Sequence, residues 1–312
     1  MTERWRAQDM ADQSARLAVV TGANSGLGRV TARELARTGA RVVLACRSAA
    51  RGQQAMSAIW REVPGAQLEL ELLDLGDLAS VRDFARRFSE THDGLDLLIN
   101  NAGVMATPGA RTADGFERQL GVNHLGHFAL TGLLIERLRQ RPGARVVTVS
   151  SALHRAGKIR FDDLMGERRY RRWRAYGQSK LANLLFAMEL ERRAVSAGLS
   201  LRSVAAHPGY AATNLQSAGP RAPLDRMVLA VANLMFAQSA DMGALPTLYA
   251  ATVSDLPGGS FVGPGGPAES RGHPRLVAAA GAAYDAELAA RLWDISEQLT
   301  GVALLPVKAH AA

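Results

Sequence analysis

Two side chains that can exchange a proton stand four residues apart in the segment YGQSK. Tyr176 and Lys180 occupy positions i and i+4, so on a helix they would share one face. A tyrosine with its ordinary pKa of about 10 is a poor base at neutral pH. A neighbouring ammonium group stabilises the phenolate, lowers this pKa and thereby favours acid–base catalysis. An isolated pair of this kind is also typical of a helix surface. The other motifs therefore decide whether Tyr176 and Lys180 form an acid–base pair or an ordinary surface pair.

A glycine-rich turn near the N-terminus is the second feature that could support chemistry. The apolar run 16–20 leads into TGANSGLG and then into a segment with helical periodicity. Glycines at such a turn let the backbone approach a ligand, and the helix N-terminus presents free N–H groups to an anionic pyrophosphate. The spacing is GxxxGxG rather than the more common GxGxxG. We therefore predict a dinucleotide phosphate site formed by Gly22, Asn24, Ser25, Gly26, Leu27 and Gly28.

The residues that follow the second apolar run bear on which dinucleotide would bind. The chain reads ACRS at 45–48, and no carboxylate follows until Glu62. An acidic residue here would hydrogen-bond the 2′-hydroxyl of the adenosine ribose and favour NAD, whereas an arginine neutralises the 2′-phosphate of NADP. Arg47 and Ser48 therefore favour NADP over NAD. The alternative is that Arg47 merely begins a loop in an arginine-rich chain.

Strands and helices that would position these residues alternate along the chain. Short apolar runs rich in β-branched residues predict strands, and longer segments with a period of about 3.6 residues predict helices. The candidates are strands at 16–20, 41–45, 67–72, 95–99, 145–149 and 199–205, and helices at 30–38, 49–62, 78–90, 120–139 and 176–197. This alternation implies βαβ crossovers and a parallel sheet. Right-handed crossovers then give an α/β fold class, a doubly wound, Rossmann-like parallel sheet in three αβα layers.

The chain is expected to form one domain, although its 312 residues would allow two. No repeat and no linker rich in Pro, Gly and Ser divides it, and strand candidates continue past residue 150. We assign 1–15 to an N-terminal extension, 16–303 to the domain and 304–312 to a C-terminal tail. Beyond residue 215 the pattern is less regular, with a final strand expected in GGSFVGPGGP and helices expected at 224–237, 240–251 and 284–299.

Composition excludes several classes of protein. The chain is 47% hydrophobic and 21% charged, which excludes wholesale disorder. A single cysteine, Cys46, excludes an internal disulfide framework and a multi-cysteine metal site. No apolar run reaches the length of about 18 residues that a membrane span requires. The mixed-charge N-terminus MTERWRAQDM does not resemble a secretory signal, so we expect a cytoplasmic protein.

The net charge of +8 is concentrated in the segment 155–174, which has eight basic and three acidic residues. A basic cluster can mark nucleic-acid binding. Because acidic residues flank it and no nucleic-acid motif accompanies it, we interpret it as a solvated face and expect no nucleic-acid partner. No metal site is predicted, since carboxylates with ligand spacing on a common face do not accompany the histidines His124, His127, His154 and His207.

The order of these motifs resembles the short-chain dehydrogenase/reductase family over nearly the whole chain. The family's glycine motif, TGxxxGxG, matches residues 21–28. Its NNAG element matches residues 100–103, and its helix-borne asparagine matches Asn123 in VNHLGHF. The resemblance therefore begins at the first predicted strand and continues beyond the fourth.

The second half of the chain continues the resemblance. The family's YxxxK core matches Tyr176 and Lys180, with Ser151 upstream. Its PG element matches residues 208–209, and its threonine near the nicotinamide amide matches Thr213. The passages VSSALHRAGKIRFDDL and AYGQSKLANLLFAMEL are most similar to the retinol-dehydrogenase-like branch.

The resemblance implies a role for each matched residue. Tyr176 would donate or accept the proton, Ser151 would hydrogen-bond the substrate oxygen, and Lys180 would also hydrogen-bond the nicotinamide ribose. Asn123 would position a water linked to Lys180. Ser151 is favoured over Ser150 because the branch uses the second serine, and neighbours on a strand point to opposite faces. The remaining expected cofactor contacts are Asp74, Leu75, Asn101, Ala102, Gly103, Pro208, Gly209 and Thr213.

These matches predict an NADP-dependent oxidoreductase that interconverts an aldehyde or ketone and the corresponding alcohol by hydride transfer. An NADPH-dependent C=C reductase on the same fold is the main alternative, because the same tyrosine could protonate either product. A non-catalytic, cofactor-sensing protein is a lesser alternative, since the tyrosine and lysine are both present. The apolar segment 215–240 either covers an apolar substrate or packs on the core or a partner subunit.

Assembly is the last expectation that the resemblance supports. In the family, the helices that correspond to 120–139 and 176–197 commonly pair between subunits. Both segments have more apolar positions than one buried face requires. Examples are Leu184, Leu185, Phe186 and Met188. A homodimer or homotetramer is therefore expected.

Overall fold

An eight-stranded sheet forms the middle layer of the computed structural model, which describes residues 4–209 and 238–305. Its strands are β1 (Leu17–Thr21), β2 (Arg41–Cys46), β3 (Leu68–Leu72), β4 (Leu97–Asn100), β5 (Arg145–Val149), β6 (Arg202–Ala206), β7 (Phe261–Pro264) and β8 (Pro274–Leu276). They lie in the order β3-β2-β1-β4-β5-β6-β7-β8, and all neighbours are parallel except β7 and β8. The predicted α/β class and doubly wound parallel sheet are confirmed.

Helices cover both faces of this sheet. They are α1 (Gly26–Arg37), α2 (Ala49–Glu62), α3 (Leu78–Thr91), α4 (Gly126–Arg139), α5 (Arg172–Ser196), α6 (Ala240–Thr252) and α7 (Ala286–Thr300). Apolar side chains of α1, α2 and α6 form the core on one face, and those of α3, α4, α5 and α7 form the core on the other. Ala18 and Val20 of β1 belong to the first core and Val19 to the second. A strand buried on both faces reads as a continuous apolar run, as LAVVT does.

The strand order also creates a crevice. From β1 the chain first builds outward through β2 and β3, and it then returns to the other side of β1 with β4. Where the order reverses, the crossovers on either side diverge, and ligands of such sheets bind outside the carboxyl ends of these strands. The glycine-rich turn after β1 and the NNAG element after β4 both lie at this edge.

Several element boundaries differ from the sequence predictions for local reasons. The first helix begins at Gly26 rather than residue 30, because the low helix propensity of glycine obscures the first turn. The helix predicted at 120–139 begins with a turn at Arg118–Leu120, widens into a π-helical turn at Gly121–Leu125 and continues as α4. The strand β8 was not predicted, since it has three residues and begins with Pro274. The helix candidate at 224–237 lies outside the described residues.

The C-terminal helix α7 packs on α4 and α5. The Trp293 ring lies 5.1 Å from that of Phe128 and stacks on that of Phe186 at 5.8 Å. Leu184, Leu185 and Phe186 are thereby buried within a single chain. These three residues no longer argue for a subunit interface, because they already belong to the core of a single chain. The homodimer or homotetramer stays a prediction.

The residues before β1 also contact the domain. The Trp5 ring meets that of Tyr249 on α6 edge to face at 5.3 Å, and the Met10 side chain is buried. At the other end, Leu304 is fully buried in the same core as α7. Within residues 4–209 and 238–305, no helix combines the length and the apolar character needed to cross a bilayer.

Candidate active site

A cavity of about 1110 Å³ opens at the carboxyl ends of the central strands. Most residues predicted to bind a cofactor or to act in catalysis line it. They are Gly22, Asn24, Ser25, Gly26, Leu27, Gly28, Arg47, Ser48, Asp74, Leu75, Asn101, Ala102, Gly103, Ser151, Tyr176, Lys180, Pro208 and Gly209. Asn123 does not line the cavity but lies behind its wall, and Thr213 lies outside the described residues. The structure thus brings motifs from six strand ends to one site.

The glycine-rich turn forms one end of the cavity as a narrow cradle. Gly22 has a φ of +67°, a conformation that a residue with a side chain rarely adopts. A Cβ on Gly28 would lie 2.5 Å from both the Gly22 carbonyl oxygen and Asn101 Nδ2, so only glycine fits. Ser25, which precedes α1, makes no side-chain hydrogen bond to the helix. The first N–H groups of α1 are therefore available to an anion, as a dinucleotide pyrophosphate requires.

A second part of the cavity is electropositive and follows β2. Arg47, Ser48 and Arg51 line it, and Ser48 Oγ accepts a hydrogen bond of 3.4 Å from the Arg51 N–H at the start of α2. Arg47 Nε lies 4.0 Å from Asp74 Oδ2, and both side chains are exposed, so this ion pair holds Arg47 only weakly. Sequence reasoning missed Arg51. Its position in the first turn of a helix capped by Ser48 was the available signal.

The residues predicted to be catalytic line the same cavity. Tyr176 and Lys180 are 5% and 3% exposed, and Lys180 Nζ lies 5.8 Å from the centre of the Tyr176 ring. The Ser151 side chain lies close enough to that of Tyr176 to act on its pKa, which it lowers. Ser150 Oγ instead donates 2.8 Å to the Lys180 carbonyl oxygen. This difference supports the choice of Ser151 over Ser150 as the serine that meets a substrate.

Burial determines the protonation of both catalytic groups. It raises the pKa of Tyr176 to about 12, although the hydrogen bond with Ser151 acts in the opposite direction. It also lowers the pKa of Lys180 to about 8, while Lys180 Nζ donates 3.0 Å to the Val149 carbonyl oxygen. The net shift of the Tyr176 pKa is therefore upward, opposite to the lowering expected from a neighbouring ammonium group, because loss of water on burial disfavours the phenolate. Tyr176 is held as a neutral hydroxyl, the form that donates a proton.

Asn123 occupies the π-helical turn and holds the cavity wall. Its Nδ2 donates to the Val104 carbonyl oxygen and to Ser179 Oγ, both at 2.9 Å, and its Oδ1 accepts 2.8 Å from the Val104 N–H. A Cβ on Gly103 would lie 3.1 Å from Asn123 Oδ1, so the two residues are closely packed. These contacts make Asn123 a positioning residue. Its expected link to Lys180 through water stays a prediction.

A buried histidine that the sequence analysis did not assign holds the end of β1. His127 Nδ1 lies 3.0 Å from the Asn123 carbonyl oxygen, which can only accept, so Nδ1 carries the proton. Burial lowers the pKa of His127 to about 4, so the ring is neutral and its Nε2 accepts 2.9 Å from Thr21 Oγ1. Thr21 Oγ1 in turn accepts from the N–H groups of Asn101 and Ala102, each at 2.9 Å. This network joins α4, β1 and the NNAG element beneath the cofactor cradle.

We expect Thr21→Val to lower the free energy of unfolding by about 1–3 kcal/mol, because the Ala102 N–H and His127 Nε2 lose their buried partner. The double variant Thr21→Val/His127→Phe should lose less than the sum of the single losses, because the two residues share one bond. Urea unfolding measures both effects. Thr38→Val, at the C-terminal end of α1, is the matched control and should change stability by less than about 0.5 kcal/mol, because its hydroxyl donates only to carbonyl oxygens of its own helix. Additive losses would contradict the network.

The open side of the cavity is lined by Met105, Leu153 and Trp173, with Trp173 45% exposed. Ala268 and Glu269 also line the cavity and have φ values of 49° and 54°, a left-handed conformation that is uncommon outside glycine. Sequence reasoning missed all five residues, because none stands in a recognisable motif.

A network of charged and polar side chains holds this left-handed turn. The Glu269 carboxylate forms an ion pair of 3.0 Å with Arg155 and lies 3.1 Å from His207 Nε2. The segment 215–240, proposed to cover the substrate, lies outside the described residues except for its last three.

Two further features concern metal and thiol chemistry. Among residues 4–209 and 238–305, no three His, Cys, Asp or Glu side chains come together as a metal site. Cys46 is buried beside the cradle, and burial raises its pKa to about 11. A protonated, buried thiol is unreactive, which agrees with a packing role.

Comparison with known proteins identifies relatives over most of this length. A family model described as short chain dehydrogenase matches residues 16–222. The chain is 41% identical over 292 residues to retinol dehydrogenase 12 of Mus musculus, and the match covers 92% of this chain and 87% of the relative. It is 39% identical over 313 residues to retinol dehydrogenase 14 of Homo sapiens, with 95% and 90% covered.

Solved structures agree with this relationship. A crystal structure of a protein from Mycobacterium paratuberculosis superposes with a TM-score of 0.81 at 49% identity, covering 97% of this chain and all of that one. A protein from Escherichia coli CFT073 complexed with NADPH superposes with a TM-score of 0.62 at 26% identity, covering 81% and 97%. The chain therefore belongs to the short-chain dehydrogenase family, and within that family it is similar to the retinol dehydrogenases.

Proposed function

We propose that this protein is an NADP-dependent oxidoreductase that interconverts an aldehyde or ketone and the corresponding alcohol. One observation carries the proposal: Ser151, Tyr176 and Lys180 meet beside a glycine cradle in a single cavity. Its volume of about 1110 Å³ exceeds the range of about 300–1,000 Å³ typical of sites for one drug-sized ligand. The cavity therefore has room for a dinucleotide together with a substrate.

The residues of the cavity fit a dinucleotide cofactor. Gly22, Gly28 and the N-terminus of α1 would hold the pyrophosphate, and the segment 101–103 would contact the nicotinamide half. When bound, the nicotinamide would deliver a hydride to the substrate carbon or accept one from it. Pro208 and Gly209 line the same cavity near the catalytic residues.

The proton in this reaction is handled by the chain's own side chains. During reduction, Tyr176 Oη gives its proton to the carbonyl oxygen, while Ser151 Oγ donates a hydrogen bond to the same oxygen. Hydride addition at carbon and protonation at oxygen together yield the alcohol, and the reverse reaction returns the proton to Tyr176. Protonated Lys180 stabilises the phenolate that forms on Tyr176. With its pKa raised to about 12, Tyr176 is a neutral hydroxyl at neutral pH, so it holds the proton that reduction requires.

The proposed preference for NADP is supported by two arginines. Arg47 and Arg51 line the cavity at the end of β2, where the 2′-phosphate of an adenosine ribose would lie. Guanidinium groups bind phosphate through paired hydrogen bonds. The related protein from Escherichia coli CFT073 was crystallised with NADPH, which agrees with this assignment.

The open side of the cavity supports an apolar carbonyl substrate. Met105, Leu153 and Trp173 offer a flexible thioether and two exposed apolar surfaces, which suit a bulky apolar molecule. The names of the relatives, retinol dehydrogenases 12 and 14, point in the same direction. The ion-paired carboxylate of Glu269 also lines the cavity.

A panel of aldehydes, ketones and enones with NADPH tests the proposed reaction. We expect the highest kcat/KM for bulky apolar aldehydes or ketones, with the alcohol as product. We further expect Trp173→Ala to lower kcat/KM for bulky apolar substrates by about tenfold, because a large apolar contact is lost, and to affect small carbonyls less. Trp60→Ala removes a similarly exposed tryptophan on α2 away from the cavity. This variant should leave kcat/KM unchanged for both bulky and small substrates. Selective reduction of the C=C bond of enones would favour the alternative reaction.

Carbonyl reduction should slow as the pH rises. Burial lowers the pKa of Lys180 to about 8, so its ammonium form is present below this pH and is lost above it. A neutral lysine cannot stabilise the phenolate left after proton donation. We therefore expect kcat/KM for reduction, measured between about pH 6 and pH 10, to fall through a pKa of about 8. In Lys180→Arg, which keeps its charge, the residual activity should show no such fall. A flat profile for the unmodified protein would oppose this role.

Two further expectations accompany the proposed function. A cytoplasmic location stays a prediction. Light scattering at micromolar concentration would check the predicted homodimer or homotetramer. The packing of Trp293 on Phe128 and Phe186 within one chain removes one argument for this assembly.

A further inference from the structure

A second, smaller cavity of about 210 Å³ lies on the other side of the first turns of α5. Trp173, Tyr176 and Lys180 face the active-site cavity. The second cavity is lined instead by Arg174 and Gln178 of this helix and by residues between 156 and 171, which precede it in the chain. With about 100° of rotation per residue, these two sets of positions lie on opposite faces of the helix. The second cavity is therefore distinct from the catalytic site.

Positive charge dominates the walls of this cavity. Its cationic side chains are Lys158, Arg160, Arg169, Arg171 and Arg174. All five are exposed, and among residues 4–209 and 238–305 none has a carboxylate at ion-pairing distance. Elsewhere in the basic segment 155–174, Arg155 forms an ion pair with Glu269 at 3.0 Å and Arg168 forms one with Asp162 at 3.2 Å. Within the part of the chain that the structure describes, the arginines that line the cavity thus have no carboxylate partner.

Two carboxylates also line the cavity, but backbone groups already bind them. The Glu117 carboxylate accepts hydrogen bonds of 2.9 and 2.7 Å from the N–H groups of Gln119 and Leu120, and burial raises its pKa. Asp163 Oδ1 accepts 3.2 Å from the Arg168 N–H, and backbone hydrogen bonds of this kind lower its pKa. Each carboxylate thus closes a local turn. Neither neutralises the arginines across the cavity.

The arginines also repel one another. Arg160 is the largest cause of a lowered pKa of Arg174, and Arg171 and Arg169 act in the same direction. Like charges held together in this way raise the local concentration of anions, because an anion between them removes the repulsion. The cluster is therefore incomplete without a negatively charged group.

We propose that this cavity is a binding site for a phosphate group. Several guanidinium groups around one small space match the several acceptor oxygens of a phosphate, each of which can take a charge-assisted hydrogen bond. The volume of about 210 Å³ is below the range of about 300–1,000 Å³ of sites for drug-sized ligands, so it admits one small headgroup rather than a whole large molecule. The phosphate belongs either to a free phosphate ester or to the headgroup of an anionic lipid.

Binding is measured with the full chain in two arms. Calorimetric titration with inorganic phosphate at fixed ionic strength tests a free phosphate, and co-sedimentation with phosphatidylglycerol vesicles against phosphatidylcholine vesicles tests a lipid headgroup. Arg160→Gln/Arg174→Gln removes two cavity charges. Arg86→Gln/Arg168→Gln removes two charges that form ion pairs outside the cavity, so the net charge of both variants is equal. Phosphate that binds in the cofactor cleft contributes equally to all three proteins.

We expect the cavity variant to bind at least about tenfold more weakly than the control variant in one arm, and the control to match the unmodified protein. The arm in which this difference appears identifies the source of the phosphate. Circular dichroism melting curves check that both variants fold. Equal binding by the two variants in both arms would overturn the proposal, because the charges at the cavity would then contribute no more than any others.

Discussion

Replacing Tyr176 by phenylalanine should lower kcat/KM for carbonyl reduction by about 10²–10⁴-fold, the contribution of a positioned acid. The variant loses only the hydroxyl that interacts with Ser151 and would donate the proton. The ring keeps its position, because it is buried and its neighbours are unchanged. Cofactor affinity, measured by fluorescence titration, should therefore remain close to that of the unmodified protein.

Two other variants separate this role from a general effect on structure. Tyr249→Phe makes the same change on α6, where the ring packs on Trp5 outside the cavity, and should leave turnover unaltered. Lys180→Ala should lower both turnover and cofactor affinity, since Lys180 is expected to contact the ribose as well. If Tyr176→Phe retained most of the activity, another group would have to supply the proton.

The second large effect concerns the choice of cofactor. We expect NADPH to bind better than NADH by about 1.5–3 kcal/mol, the range of hydrogen bonds to charged groups. Arg47→Ala should remove most of this difference, and Arg47→Ala/Arg51→Ala should remove all of it, since both side chains line the cavity at the end of β2. Arg47 is weakly held by Asp74, so its removal should leave the melting temperature almost unchanged.

The matched control for these variants is Arg61→Ala. Arg61 is an exposed arginine on the same helix as Arg51, and its Nε donates to the Ser57 carbonyl oxygen away from the cavity. The Arg61→Ala variant should bind NADPH and NADH with unchanged affinities. Equal affinity of the unmodified protein for NADPH and NADH would refute the assignment of Arg47.

Much of the candidate site could be predicted because its motifs are local. Tyr176 and Lys180 lie one turn apart on α5, and the glycine-rich turn spans a single strand-to-helix connection. Short-range geometry of this kind depends on few residues, so spacing and residue type are informative. Arg51 and Trp173 escaped prediction because they stand outside such motifs and matter only through the cavity that they line. His127 escaped because its partner, Thr21, is 106 residues away in the sequence.

The sequence by itself determined the alternation of strands and helices, the parallel sheet, and the glycine-rich turn and the Tyr176–Lys180 pair that line the candidate site. Each of these depends on neighbouring residues or on hydrophobic periodicity within one element. Only the tertiary structure decided that Leu184, Leu185 and Phe186 of α5, which had suggested a subunit interface, are buried within one chain. It also decided that the pKa of Tyr176 rises rather than falls. Both outcomes depend on burial, which residues distant in the sequence create when they pack together and exclude water.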